Sequence, residues 1–344
     1  MISIFLLLAC AKPASLPAPI PAPPADPMPV SATAAQTPSL EEAAVTLLAL
    51  DPGSPVARAD AEISGMAWWG DRLVLLPQYP DFDGERVAVY TAARADVAAA
   101  IDGASLPLAP LPFSATAGDG LGWFVENLDC FEGFEAIAFD GDDAWLTVET
   151  CDGGGILRGT VSEAGLAVDP TTLQMIPSNS GIDNRGEEAL ILDGEVVLTM
   201  HESNGSSVVT AATAHAFTRA LAPTGELPFP AVEYRITDAT DVDDAGRFWA
   251  INYFYPGRGR QRAKDLQAVT WGVGESHQRS PQVERLLELQ LSETAITLVS
   301  HAPVYLALDG EEGRNWEGIV RVEGGWLLVT DKHPETLLAF VPGG

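Results

Sequence analysis

Carboxylates recur along this sequence at a single spacing. Glu317 and Asp331 lie fourteen residues apart around the turn Glu323-Gly324-Gly325, Glu135 and Glu149 around Asp140-Gly141, and Glu188 and Glu202 around Asp193-Gly194. Asp238 and Asn252 flank Ala245-Gly246 at the same interval, and Ser64 and Gln78 flank Gly70-Asp71. Each interval encloses apolar residues broken by a glycine-bearing turn, the pattern of a β-hairpin. With the turn midway, residues i and i+14 stand opposite one another on one face. Each hairpin thus offers a pair of polar groups at its open end. Gathered round an axis, the pairs form a ring of mostly carboxylates, which requires cations, protons or hydrogen-bond donors. Hard oxygen ligands of this kind suit Ca²⁺, with Mg²⁺ second, rather than zinc or copper. The competing reading has each acid capping loop amides at a strand end.

Other chemistry is poorly provided for. The chain has no Gly-x-Ser-x-Gly elbow, His-Glu-x-x-His pair, P-loop or dinucleotide fingerprint, and only five histidines. His201 precedes Glu202 and His333 follows Asp331, so either suits acid–base work if it faces the ring. Arg185 and Arg314 each lie three residues before a ring acid, and guanidinium forks suit phosphate or carboxylate. Arg258, Arg260, Arg262 and Lys264 cluster in a long insert, where solvation is the simpler reading. Trp69 and Trp316 are the tryptophans best placed to act as ligand platforms.

Positioning such a ring takes a repeating all-β scaffold. Five hairpins at irregular intervals predict a β-propeller of five blades, or six if the gap 64–135 or 238–317 holds a degenerate unit. Two further strands are expected after each hairpin: 215–221 and 232–236 after Glu202, and 283–291 and 295–300 after Asn252. One short helix is expected near 93–101. The last hairpin is followed only by Thr336–Val341, leaving its blade one strand short. The apolar stretch Ala44–Leu50 is expected to complete it and close the ring.

Residues 1–9 read as a lipoprotein signal peptide ending in Leu7-Leu8-Ala9 before a lipidated Cys10, although Met1-Ile2-Ser3 carries no basic residue. Residues 10–40, rich in Pro and Ala, read as a tether, and residues 41–344 as the propeller. This organisation places the protein at the cell envelope, anchored to the outer membrane by lipid alone and otherwise monomeric. Cys130 and Cys151 flank the second hairpin and are expected to form a disulfide, in keeping with export. A net charge of −29, from 48 acids and 19 bases, excludes nucleic acid as a partner.

Three stretches, NRGEEALIL (184–192), DATDVDDAGRFWAINYFYPGRGR (238–260) and NWEGIVRVEGGWLLVTDKHPETLLAF (315–340), resemble the phytase-like β-propeller family, the "esterase-like activity of phytase" domain. The resemblance spans about 280 residues with the weaker hairpins included. It departs at Asn252, Lys332, Ser64 and Gln78 from the family's usual residues. It implies a Ca²⁺-dependent hydrolase of small anionic phosphoesters or carboxylic esters. On that reading Glu188, Glu317 and His201 are acid–base groups, and Arg185 and Arg314 hold the anion. Glu135, Glu149, Glu202, Asp238 and Asp331 are the expected metal ligands. The alternative is a non-catalytic envelope propeller that binds a ligand or protein partner, because propellers host both classes.

Overall fold

The computed structural model describes residues 39–343 apart from positions 52, 117–120, 179, 181, 183, 184, 257–263, 311, 312 and 334. The expected signal peptide, Cys10 and nearly all of the tether lie outside the described residues, as do Arg258, Arg260 and Arg262. Among the described residues no helix is long and apolar enough to cross a membrane.

Thr37–Gly344 is one compact unit, a propeller of five antiparallel blades. Blade 1 is Ile63–Trp69, Arg72–Pro77, Ala88–Ala93 and Ala109–Ala115. Blade 2 is Phe131–Asp140, Asp143–Thr150, Gly153–Ser162 and Gly165–Pro177, and blade 3 is Glu187–Asp193, Val196–His201, Thr213–Thr218 and Pro223–Pro228. Blade 4 runs Arg235–Ala239, Arg247–Phe254 and Val283–Leu291, and both Ile296–Leu298 and Val304–Leu306 pair with its third strand. Blade 5 is Trp316–Val322, Gly325–Thr330 and Leu338–Pro342, completed by Thr46–Leu47. The first strands of the blades neighbour one another in the order 1-2-3-4-5-1, so the ring is closed.

The sequence patterns explain the packing. In Arg-Leu-Val-Leu-Leu-Pro (72–77), Leu73 and Leu75 face blade 5 while Val74 and Leu76 face blade 2. Period-2 alternation with apolar residues on both faces is what a strand buried on both sides requires. One apolar cluster fills each of the five junctions, as Ala136, Trp145, Leu190 and Val197 do between blades 2 and 3. Each buried Leu or Val contributes roughly 1.5–3 kcal/mol relative to exposure.

Closure follows the expected route. Thr46 and Leu47 pair antiparallel with Phe340 and Ala339. The same segment also runs parallel to blade 4 at Glu42–Ala43 and to Ser105–Leu106 at Ala49–Leu50. One N-terminal stretch thus laces blades 4, 5 and 1. Arg94–Ile101 is the expected helix. The gaps 64–135 and 238–317 hold outer strands, helices and loops, so among the described residues there is no sixth blade.

One expectation needs correction. The segment 232–236 is not an outer strand of blade 3; it leads into the first strand of blade 4. The outer strand is Pro223–Pro228, mostly exposed, whose polar edge character masks it in a search for apolar runs. Cys130 and Cys151 do form a disulfide, with a Cα–Cα distance of 5.6 Å.

Candidate functional site

A cavity of about 920 Å³ opens at one end of the ring, where the open ends of the hairpins converge. Its floor is built from equivalent positions in the blades. On the first strands these are Ser64, Glu135, Glu188, Thr237 and Glu317, each just past the residue that pairs with the second strand. A bulge at this point shifts the register in every blade, and all of these side chains line the cavity except Thr237, whose hydroxyl donates to the Trp316 carbonyl (2.6 Å). On the second strands the equivalents are Gln78, Glu149, Glu202, Tyr253 and Asp331.

Two triplets of buried carboxylates result. Oxygens of Glu135, Glu188 and Glu317 lie within 4.8 Å of one another, and so do those of Glu149, Glu188 and Glu202. Asp331 lines the same floor. Six carboxylates therefore face two guanidiniums, those of Arg185 and Arg235. Gln78 Nε2 donates to Glu135 Oε1 (2.9 Å) and to the Glu132 carbonyl (2.9 Å). Its path crosses Gly133, at φ +115°, where a Cβ would lie 2.3 Å from the Gln78 side chain. Asn315 Nδ2 donates to Glu317 Oε1 (2.7 Å) and Asp331 Oδ2 (3.1 Å).

Arg235, which the spacing argument overlooks, is the centre of the floor. Its Nη2 donates to both oxygens of Glu188 (2.7 and 3.0 Å) and to Glu317 Oε1 (3.0 Å), and its Nε pairs with Glu202. One side chain of blade 4 thus ties carboxylates of blades 3 and 5. The preceding Tyr234 adopts φ +75°, a strained conformation for a non-glycine that this network helps to hold. A signal was present: Arg235 lies three residues before Asp238, the offset that singled out Arg185 and Arg314.

Burial and charge separate the acids. Burial pushes Glu149 up to about 8, with Glu202 adding to the effect, and pushes Glu317 up to about 7. Glu135 and Glu188 are likewise raised well above the carboxylate range, first by burial. Burial also works to raise Glu202, but Arg235 and Arg185 outweigh it and hold that carboxyl low. The raised groups keep protons that the unfolded chain has released, so the metal-free protein loses stability as pH climbs from about 5 to about 8. Melts in EDTA across this range should show a falling Tm, with the slope reduced in Glu149→Gln. A flat or rising profile in the wild type would contradict these shifts.

Several expected site residues lie elsewhere. Asp238 is not on the floor: Oδ2 accepts from Ile319 N (2.8 Å) and Oδ1 from Ala239 N (2.8 Å), joining blades 4 and 5. It occupies the position of Gly65 and Gly318, where neighbouring blades approach closely. Asn252 turns into blade 4, donating to the carbonyls of Glu233 and Arg235 and accepting from Arg285 Nε (2.8 Å). The blade 4 hairpin carries a longer turn around Asp243–Gly246, and a one-residue slip moves a side chain to the other face. Thr237 and Tyr253 hold the equivalent register positions instead, and of the two Tyr253 lines the cavity.

His201 is buried with both ring nitrogens on backbone: Nδ1 accepts from Ser203 N (2.9 Å) and Nε2 meets the Arg185 carbonyl (3.1 Å). It does not line the cavity. Arg314 is bound to the buried Glu284 (Nε to Oε2, 2.9 Å) and to the Ala307 carbonyl (2.7 Å), away from the cavity. Trp316 is fully buried on the same Glu284, so it is no ligand platform. Trp69 packs beside the blade 1–blade 2 cluster and does not line the cavity. Arg185 does line the cavity, paired with Glu202.

No protein-family model matches the sequence, and no curated protein matches it. Among solved structures the chain is similar to the PQQ-bound aldose sugar dehydrogenase of Streptomyces coelicolor, at 14% identity and TM-score 0.47 over 88% of this chain and 99% of that one. It is also similar to the catalytic domain of the Coprinopsis cinerea GH62 α-L-arabinofuranosidase (8% identity, TM-score 0.49, 90% of this chain and 98% of that one). A third is the Podospora anserina α-L-arabinofuranosidase PaAbf62A in complex with cellotriose (8%, 0.46, 88% and 97%). At this level of similarity no chemistry carries across, and the five-bladed propeller rests on the strand pairing itself.

Proposed function

We propose that the protein is a propeller hydrolase whose carboxylate floor binds a divalent cation, Ca²⁺ before Mg²⁺, and which cleaves phosphate or carboxylic esters in the cavity above. The observation that carries this reading is the pair of buried triplets sharing Glu188, opposed among the described residues by two guanidiniums. The residues fit a hard cation: every charged ligand is an oxygen, and the fully buried Glu202 leaves Oε1 with no hydrogen-bond donor. Asp331 Oδ1, on the same floor, also lacks one. Glu135, Glu188 and Glu317 would hold the ion, with Glu149 and Glu202 beside it.

When bound, such an ion polarises an ester oxygen and acidifies water. The chain's own residues do the rest. Glu149, on the same floor, takes the proton from the attacking water and returns it to the leaving alcohol. Arg235 fixes Glu188 and Glu317, while Gln78 and Asn315 orient Glu135, Glu317 and Asp331. With no ion bound, the excess of acids repels an anionic substrate, so turnover should require the cation.

The test is a melt of the purified chain in EDTA with Ca²⁺ or Mg²⁺ titrated in, followed by ester and phosphoester panels. A saturable, Ca²⁺-selective rise of about 3–4 kcal/mol in stability at ~10²–10³ times Kd is expected. A shift reproduced by any salt would refute a specific site. A specific ion without turnover would leave the ligand-binding propeller.

A further inference from the structure

Above the carboxylate floor the cavity changes character. Tyr79 of blade 1 lines one part of its mouth, and Tyr234, Phe254 and Tyr255 of blade 4 line another. Tyr234 and Phe254 pack with ring centroids 4.6 Å apart, and Tyr255 is 46% exposed, a large aromatic face left open beside a cavity. Two more acids, Glu62 and Glu132, line this mouth. Both lie near Tyr79, whose hydroxyl is pushed up to about 12 by burial and then by Glu132, Glu135 and Glu62.

The guanidiniums and the lysine here are already committed, which leaves His333 as the remaining basic group lining the cavity among the described residues. Lys332 Nζ pairs with Glu62 (3.2 Å), Arg185 with Glu202, and Arg235 with three glutamates. The nearest partners of the Glu132 carboxylate are the sulfurs of the Cys130–Cys151 disulfide, 3.1 and 3.6 Å away, and these carry no hydrogen. An anion entering the mouth finds no uncommitted guanidinium or lysine among the described residues. A neutral ring would leave the acids unbalanced. Faces of tyrosine and phenylalanine attract cations, and the attraction grows as the site is desolvated.

We propose that the mouth of the cavity binds an organic ammonium group, seated against the Tyr79 ring and facing Glu132. The class of ligand is an amine or quaternary ammonium carried on a small molecule. This goes beyond the hydrolase reading and does not use the floor carboxylates, so either stands without the other. If both hold, the substrate is an ester whose alcohol or acyl part bears the ammonium.

The test is calorimetric titration of the full chain with choline and with its neutral isostere 3,3-dimethylbutan-1-ol. Saturable binding of choline is expected, with the isostere about tenfold weaker or worse, the ratio that ~1–2 kcal/mol of cation–aromatic attraction gives. Tyr79→Leu removes the aromatic face, and Glu132→Gln keeps volume while removing charge. Each should weaken choline by roughly five- to tenfold while leaving any Ca²⁺-induced melting shift unchanged. Equal binding of the isostere, no saturable binding of choline, or unchanged affinity in both variants would overturn the proposal. Loss of the Ca²⁺ shift with choline binding intact would count against the hydrolase reading alone.

Discussion

Arg235→Met is expected to cost about 3–5 kcal/mol of stability near pH 8, because it strips the shared cation from three buried glutamates. Its guanidinium donates to Glu188 and Glu317 at 2.7–3.0 Å and pairs with Glu202. Met fills a similar volume, so the loss reports charge more than packing. The pH dependence gives the check. Near pH 5.5 Glu188 and Glu317, whose pKa values burial has already raised, accept protons, and most of the penalty should disappear. Urea denaturation of wild type and variant at both pH values measures this. An equal loss at both would mean that Arg235 acts by packing. Arg235→Lys should fall between the two, since one ammonium cannot span three carboxylates as a planar fork does. Ca²⁺ should restore part of the loss if the floor takes an ion.

Glu317→Gln should abolish the Ca²⁺-specific melting shift and, on the hydrolase reading, lower turnover by roughly 10²–10⁴ with the fold intact. The amide keeps the side chain's shape, and its carbonyl can still accept from Asn315 and Arg235. What disappears is one of three negative charges within 4.8 Å of one another. In EDTA near pH 8 the variant should be at least as stable as wild type, because a carboxyl with its pKa raised to about 7 carries its charge there at a cost. The sign reversal between EDTA and Ca²⁺ separates loss of a ligand from general damage. A retained Ca²⁺ shift would place the ion elsewhere. A lost shift with unchanged turnover on a responsive ester would separate the ion from catalysis.

Much of this architecture is legible in the sequence, for local reasons. A hairpin is written in consecutive residues: alternation of period 2, a glycine-bearing turn and buried faces on both sides, as in Ile319–Leu328 around Gly324. The missing strand of blade 5 and its supply by Thr46–Leu47 follow from counting strands, since an unpaired strand edge is a liability. The disulfide follows because Cys130 and Cys151 sit just outside one hairpin. Where the turn is short, the spacing of fourteen also finds the floor residues correctly, as at Glu135/Glu149, Glu188/Glu202 and Glu317/Asp331.

The failures share a cause. In blade 4 the longer turn breaks the link between spacing and face, so Asp238 and Asn252 turn away and Thr237 and Tyr253 take the equivalent register positions. Arg185, Arg235 and Arg314 share the same offset before an acid, yet only the first two reach the cavity. Arg314 is captured by Glu284, thirty residues earlier on a different blade. Local sequence determined the hairpins, their number, their closure and a chain rich in acid. The tertiary structure alone decided which acids meet and which cation lies among them. Register sets the face of each side chain, and ring closure sets its neighbour, and neither is encoded within a single hairpin.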